Sequence, residues 1–182
     1  MSPILPSPKT THYRNKLEFT FSNKKWITKE ELDSGVEIEE RNGLGFHIPK
    51  MFDKILDISN CYLQAEPSNE IRKWFRKYTE DHNLSYFNLR THGGLMRNLI
   101  IRTSNTGEFM VIVAFYDDKR NERQELLNAF IKQFANVTSL YYVVNQKAND
   151  TILDQELVLY YGKEFISEDM DGLEFKLGPK SF

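Results

Sequence analysis

Met96-Arg97-Asn98-Leu99-Ile100-Ile101-Arg102-Thr103, followed by Ser104-Asn105-Thr106-Gly107 and then Glu108-Phe109-Met110-Val111-Ile112-Val113-Ala114-Phe115-Tyr116, is the stretch that decides the fold. Two apolar, β-rich runs joined by four turn-forming residues read as a β-hairpin. The second run is apolar without a break from Phe109 to Phe115, the composition of a strand covered on both faces and therefore central in its sheet. Downstream, Asp117 and Asp118 place negative charge at a helix start, and Leu126, Leu127, Phe130, Ile131 and Phe134 recur along one helical face. Upstream, Pro67 and Ser68 read as the cap of a helix with Ile71, Trp74, Phe75 and Tyr78 at helical spacing, ending near Asn83.

Alternating Leu17, Phe19 and Phe21 predict a half-buried strand. Val36 to Glu40 and Leu44 to Ile48 flank Arg41, Asn42 and Gly43, a hairpin signal, and Phe52 to Ile58 reads as extended. Leu140 to Asn145, Glu156 to Tyr161 and Leu173 to Leu177 complete the expected strands. The fold class that follows is α+β, a mostly antiparallel sheet with two main helices. From Phe52 to Asn145 the order is strand, helix, strand, strand, helix, strand, the split βαβ order of ferredoxin-like folds. The expected organisation is an extended linker over 1–11, one domain over 12–177, and over 178–182 the start of a link. Gly178, Pro179, Lys180, Ser181 and Phe182, directly after an alternating strand pattern, read as a domain boundary, with the chain a module of a longer protein.

With 182 residues, 40% of them hydrophobic and 13% aromatic, the chain can build one sizeable core. A net charge of -2 gives no global attraction to nucleic acid, so such binding needs a local basic patch. A lone cysteine, Cys61, excludes an internal disulfide, and no apolar run approaches the roughly 20 residues that span a bilayer. Met1 to Lys9 carries no signal pattern. The expected address is cytoplasmic, without a membrane partner.

Basic residues gather at Arg14 and Lys16, at Arg72, Lys73, Arg76 and Lys77 on the polar face of the first long helix, and at Arg90, Arg97 and Arg102, several beside the aromatics Tyr13, Trp74 and Phe87. Arginine for phosphates and aromatic planes for unpaired bases is the chemistry of RNA binding. A charged helix face is also the ordinary solvated face of any helix, and Glu37, Glu39 and Glu40 oppose RNA. Cys61 beside Tyr62 and Leu63 reads as a small buried hydrophobe, and His47, His82 and His92 have no recognisable spacing to it. His12 beside Tyr13 reads as structural. Gly93 with Gly94 is a turn signal, not a phosphate loop. The residues carry no catalytic motif.

Three blocks in order resemble the RNA uracil-5-methyltransferase family, whose members methylate C5 of a uridine in 23S rRNA or tRNA: Tyr13 to Phe19; Leu95 to Leu99 leading to Arg102, Thr103, Ser104 and Thr106, Gly107, Glu108; and Gly178 to Phe182. The resemblance covers nearly the whole chain and implies the central part of such an enzyme. The family carries an RNA-binding TRAM domain before this part and an S-adenosylmethionine-binding catalytic domain after it. The glycine-rich cofactor motif, the cysteine that adds to uracil C6 and the general base are therefore expected outside this sequence.

The resemblance implies RNA contacts for Arg14, with Lys16 and Arg97 of the matched blocks, and for Phe182, which matches the phenylalanine at the entry to the catalytic domain. It matches Cys61 to the last of four cysteines that hold a 4Fe-4S cluster in many members, the other three lying upstream of Ser2. The implied parent is an S-adenosylmethionine-dependent RNA uracil-5-methyltransferase acting by cysteine addition to a flipped uridine. Its favoured partner is rRNA, with tRNA as the other RNA and DNA not expected, and this chain alone is expected to be inactive. Two departures weaken RNA affinity: Asn15 and Lys16 stand where some members have arginines, and Glu37 to Glu40 form an acidic insertion. The competing expectation is a non-enzymatic RNA- or protein-binding module.

Overall fold

A computed structural model describes residues 4–35 and 41–181. In chain order the elements are β1 (Lys16–Ser22), α1 (Lys29–Asp33), β2 (Gly43–Ile48), β3 (Met51–Leu56), α2 (Ser68–Asp81), β4 (Met96–Thr103), β5 (Phe109–Phe115), α3 (Arg120–Gln133), β6 (Ser139–Val144), β7 (Val158–Gly162), β8 (Ile166–Met170) and β9 (Leu173–Leu177). The fold class is α+β. Seven strands form one sheet in the order β3-β2-β1-β4-β5-β6-β7, and β8 with β9 forms a separate pair. Every pairing is antiparallel except β5 with β6, which α3 joins as a parallel crossover.

The hairpin of β4 and β5 is the middle of the molecule, and every residue of β5 is buried. Pairing of β1 with β4 fixes which side chains share a face: Leu17 stands opposite Ile101 and Phe19 opposite Leu99, while Lys16 meets Arg102, Glu18 meets Ile100 and Thr20 meets Asn98. The first set faces the two long helices, where Phe19, Leu99 and Ile101 pack with Ile71, Phe75, Leu126, Leu127 and Phe130 in the main core. Each of those large side chains contributes about 1.5–3 kcal/mol by leaving water. Neither α2 nor α3 contributes to the core on the opposite face. There Ile100, Met110, Ile112, Tyr141 and Val143 form a second core closed by Ile152 and Ile166.

The split βαβ order from Phe52 to Asn145 is present along the chain as β3, α2, β4, β5, α3, β6. Its placement in space is not that of a ferredoxin-like sheet. β1 and β2 lie between β3 and β4, which sends β3 to the sheet edge, and β6 sits directly beside β5. The strand expected at Val36 to Glu40 lies outside the described residues. Gly43 is itself a strand residue opposite Ser22, so Asn42-Gly43 is not a tight turn; β2 turns instead into β3.

Two further local differences have visible causes. At the start of α2 the Ser68 hydroxyl donates to Gln64 Oε1 at 2.6 Å instead of capping the helix, and Gln64 in turn donates to the Ile101 carbonyl at 3.1 Å. The cations on the polar face of α2 find partners within the chain. Arg72, 2% exposed, donates to the carbonyls of Ile58 and Ser59, while Lys73 reaches Asn60, Arg76 reaches Asp57 and Glu80, and Lys77 reaches Asp81. Arg72 and Arg76 are tied inside the chain, whereas Lys73 and Lys77 stay exposed with acidic or amide partners beside them, so the helix does not present a uniform basic surface.

Candidate nucleic-acid interface

One group of basic residues, Arg72, Lys73, Arg76 and Lys77, lines a hollow of about 380 Å³ beside α2 together with Asp57 and Glu80; the other lies on the opposite face of the sheet, where β1 and β4 run side by side. The N-terminal segment is tied down first: His12 N–H donates to the Tyr62 carbonyl at 2.7 Å, Arg14 N–H to the Leu63 carbonyl at 2.8 Å, and Thr103 N–H to the Asn15 carbonyl at 2.9 Å. Those bonds set Tyr13, Arg14, Asn15 and Lys16 next to Arg102, around a hollow of about 340 Å³. A second hollow of about 360 Å³ continues from Lys16 and Arg102 past Glu18 and Ile100 to Asp150, Thr151 and Ser181. Together they form a trough along the outward residues of β1.

Arg14 is exposed, and among the described residues its guanidinium has no hydrogen-bond or ion-pair partner. Tyr13 beside it is 56% exposed. A cation held on a fixed backbone next to an open aromatic ring can meet a phosphate and a base at once. Lys16 is half-buried on the same wall.

Arg102 is 6% exposed and donates to the carbonyls of Pro179 and Ser181, tying the last described residues to β4; its Nε has no partner among the described residues. Burial pulls its guanidinium below the usual arginine range. Glu18 is the trough's counterweight. Its surroundings raise its carboxyl above the ordinary carboxylate value and nearby Asp150 adds to this, against the attraction of Lys16. The site therefore holds cations of differing availability around one acid, Glu18, which is exposed on β1.

Arg97, expected at the RNA surface, is 2% exposed. Its guanidinium donates to the carbonyls of Asn145, Lys147 and Asn149 and lies 4.7 Å from the Phe87 ring centroid. It braces the 145–149 loop. Phe182 lies outside the described residues. Cys61 is 5% exposed and packed in the main core, and Asn69 pins its backbone, Oδ1 accepting from its N–H at 2.7 Å and Nδ2 donating to its carbonyl at 3.0 Å. Among the described residues no group of three or more His, Cys, Asp or Glu side chains is placed to hold a metal ion. The residue that the sequence reading left unassigned as a site is Glu18, whose only signal is a carboxylate inside a strand beside Lys16.

Relatives share this chain's sequence from end to end. An uncharacterized RNA methyltransferase of Porphyromonas gingivalis is 54% identical over 187 residues, covering 100% of this chain and 40% of that protein. An uncharacterized RNA methyltransferase of Bacteroides thetaiotaomicron is 50% identical over 185 residues, covering 100% of this chain and 41% of its own length. Over its whole length the chain is similar to proteins of the RNA methyltransferase family. It spans about two fifths of the length of the curated relatives it matches. No family model matches the sequence. Among solved structures, Pyrococcus abyssi tRNA (uracil-54, C5)-methyltransferase in complex with S-adenosyl-L-homocysteine superposes with a TM-score of 0.69 at 25% identity, covering 98% of this chain and 38% of that one.

Proposed function

We propose that this chain is the RNA-positioning part of an S-adenosylmethionine-dependent RNA uracil-5-methyltransferase, with rRNA as the favoured substrate. The observation that carries the proposal is Arg14, an exposed cation with no partner among the described residues, on a pinned backbone beside Tyr13 and at the mouth of a trough that continues to Lys16 and Arg102. The likeness to a tRNA (uracil-54, C5)-methyltransferase supports the uracil-5 chemistry and keeps tRNA as the second reading of the substrate. S-adenosylmethionine enters the proposal through that same likeness, as the methyl donor of the whole enzyme.

A 4Fe-4S cluster is a separate matter. Such a cluster takes four thiolates, and Cys61 is the only cysteine of this sequence, so the residues present do not by themselves fit the group. Cys61 fits one ligand position of four, and nothing in the RNA proposal runs through the cluster.

The test is a fluorescence titration of single-stranded RNA from 50 to 300 mM salt, about the range over which counterion release is read. Arg14→Ala is expected to weaken binding and to make the log–log salt slope shallower by about 0.7, the share of one phosphate contact on a single strand. Binding indifferent to both salt and Arg14→Ala would sink the proposal. Competition between rRNA and tRNA fragments decides the substrate class.

A further inference from the structure

Beyond the basic end of the trough, the same face holds a hollow of about 380 Å³ whose walls include Thr20, His47, Phe52, Phe87, Asn98 and Asp150. Asp150 also lines the neighbouring hollow with Lys16 and Arg102, so the two adjoin at that residue. Thr20 lies four residues along β1 from Lys16, about 13 Å at strand rise. The cations Lys16 and Arg102 and the hollow around Thr20 thus stand a fixed distance apart along one strand.

The chemistry of the far end differs from that of the near end. Phe52 is 62% exposed, an uncommon position for a ring on a strand, and the Arg90 guanidinium sits 5.7 Å from its centroid, anchored by Asp53 at 2.6 Å. The floor is polar and not self-satisfied: Asn98, 1% exposed, donates from Nδ2 to Thr20 Oγ1 at 3.3 Å while its Oδ1 has no partner among the described residues. Asn98 is one of the residues lining the hollow, so its unmet acceptor belongs to the wall of that hollow. Arg97 also lines the hollow, but its donors are committed to loop carbonyls, which leaves it a wall and not a phosphate clamp. An exposed ring and a buried amide among the walls of one hollow suit a flat, hydrogen-bonding group and not a phosphate.

We infer that this hollow is a second RNA subsite, which takes one unpaired base of the strand whose backbone lies at Arg14 and Lys16, stacked on Phe52 and read at its edge by Asn98. The inference rests on the RNA reading proposed above. It adds a base-recognition element to a domain otherwise read as a backbone holder.

The experiment uses this chain with a fluorescein-labelled single-stranded RNA decamer, and with the same decamer carrying one abasic position moved along it. Phe52→Ala, an exposed edge-strand change expected to leave the circular dichroism spectrum unaltered, should weaken binding at least about fivefold, as loss of one stacked base does. The salt slope should stay unchanged, because no phosphate contact is lost. One abasic position should reproduce that loss and add nothing on top of Phe52→Ala, the signature of a shared contact. If Phe52→Ala and His47→Ala both bind within about twofold of wild type and all abasic positions are equivalent, while Arg14→Ala still weakens binding, the base subsite is overturned and the RNA reading stands. If the unsubstituted chain binds no decamer at low salt, both fall.

Discussion

Arg14, Arg97 and Arg102 share one side-chain chemistry and three different fates, set by which acceptors the fold brings to each. Arg14 meets none among the described residues, Arg102 is half committed to the carbonyls of Pro179 and Ser181, and Arg97 is wholly committed to a loop. A charged hydrogen bond contributes about 1.5–3 kcal/mol, and removing one partner leaves buried acceptors unpaired. Arg97→Ala is therefore expected to lower stability by about 3 kcal/mol or more in urea denaturation, with RNA affinity of the folded fraction little changed. Loss of RNA binding at unchanged stability would return Arg97 to the interface. Nothing in the sequence separates these arginines, because the carbonyls that claim Arg97 come from residues about fifty positions away.

At the scale of elements, what was legible is what is local. The hairpin of β4 and β5 and the helices α2 and α3 announce themselves through turn chemistry and periodicity within a dozen or so residues, and they form as read. α1 carried a readable signal that went unused: Thr28 and Glu31 form a capping box, with the Glu31 carboxylate accepting from the Thr28 N–H at 2.9 Å and Thr28 Oγ1 accepting from the Glu31 N–H at 3.2 Å. β8 was missed because Ser167, Glu168 and Asp169 do not resemble strand residues; it is held by Asn105 of the β4–β5 turn, which exchanges bonds with Asp169 at its backbone. Sheet order was not legible at all, since the insertion of β1 and β2 beside β4 is a long-range choice. One glycine shows how tightly that choice is fixed. A Cβ on Gly45 would fall 1.9 Å from the Leu56 carbonyl oxygen, a clash with backbone of the neighbouring strand, whereas one on Gly107 in the β4–β5 turn meets open space and only its φ of +82°. Gly45→Ala is expected to cost more than about 2 kcal/mol and to erase hydrogen-exchange protection between β2 and β3. Gly107→Ala should cost about 1–2 kcal/mol, the left-handed penalty alone. Equal costs and intact β2–β3 protection would mean that the edge pair adjusts freely.

The molecule as a whole presents one face packed against its long helices and one face that carries hollows. Helices cover the side of the sheet carrying Phe19, Leu99 and Ile101, while the other side offers a trough that begins with cations, passes the acid Glu18 and ends at an aromatic and amide hollow. Such a face can orient a strand of RNA, but methylating a uracil carbon through a covalent adduct also needs a thiolate that can reach the base. The only thiol of the sequence, Cys61, is 5% exposed on the core side, with its backbone pinned by Asn69. This chain is accordingly expected to bind RNA without modifying it. Incubated with RNA and methyl-tritiated S-adenosylmethionine, it should incorporate no label above a no-protein control, and RNA containing 5-fluorouridine should form no covalent adduct with it on a denaturing gel. The Pyrococcus abyssi tRNA (uracil-54, C5)-methyltransferase, assayed alongside on tRNA, is the positive control. An adduct with this chain that disappears in Cys61→Ser would show that the core opens enough for Cys61 to act as the nucleophile, and would move the chemistry into the domain read here as its scaffold.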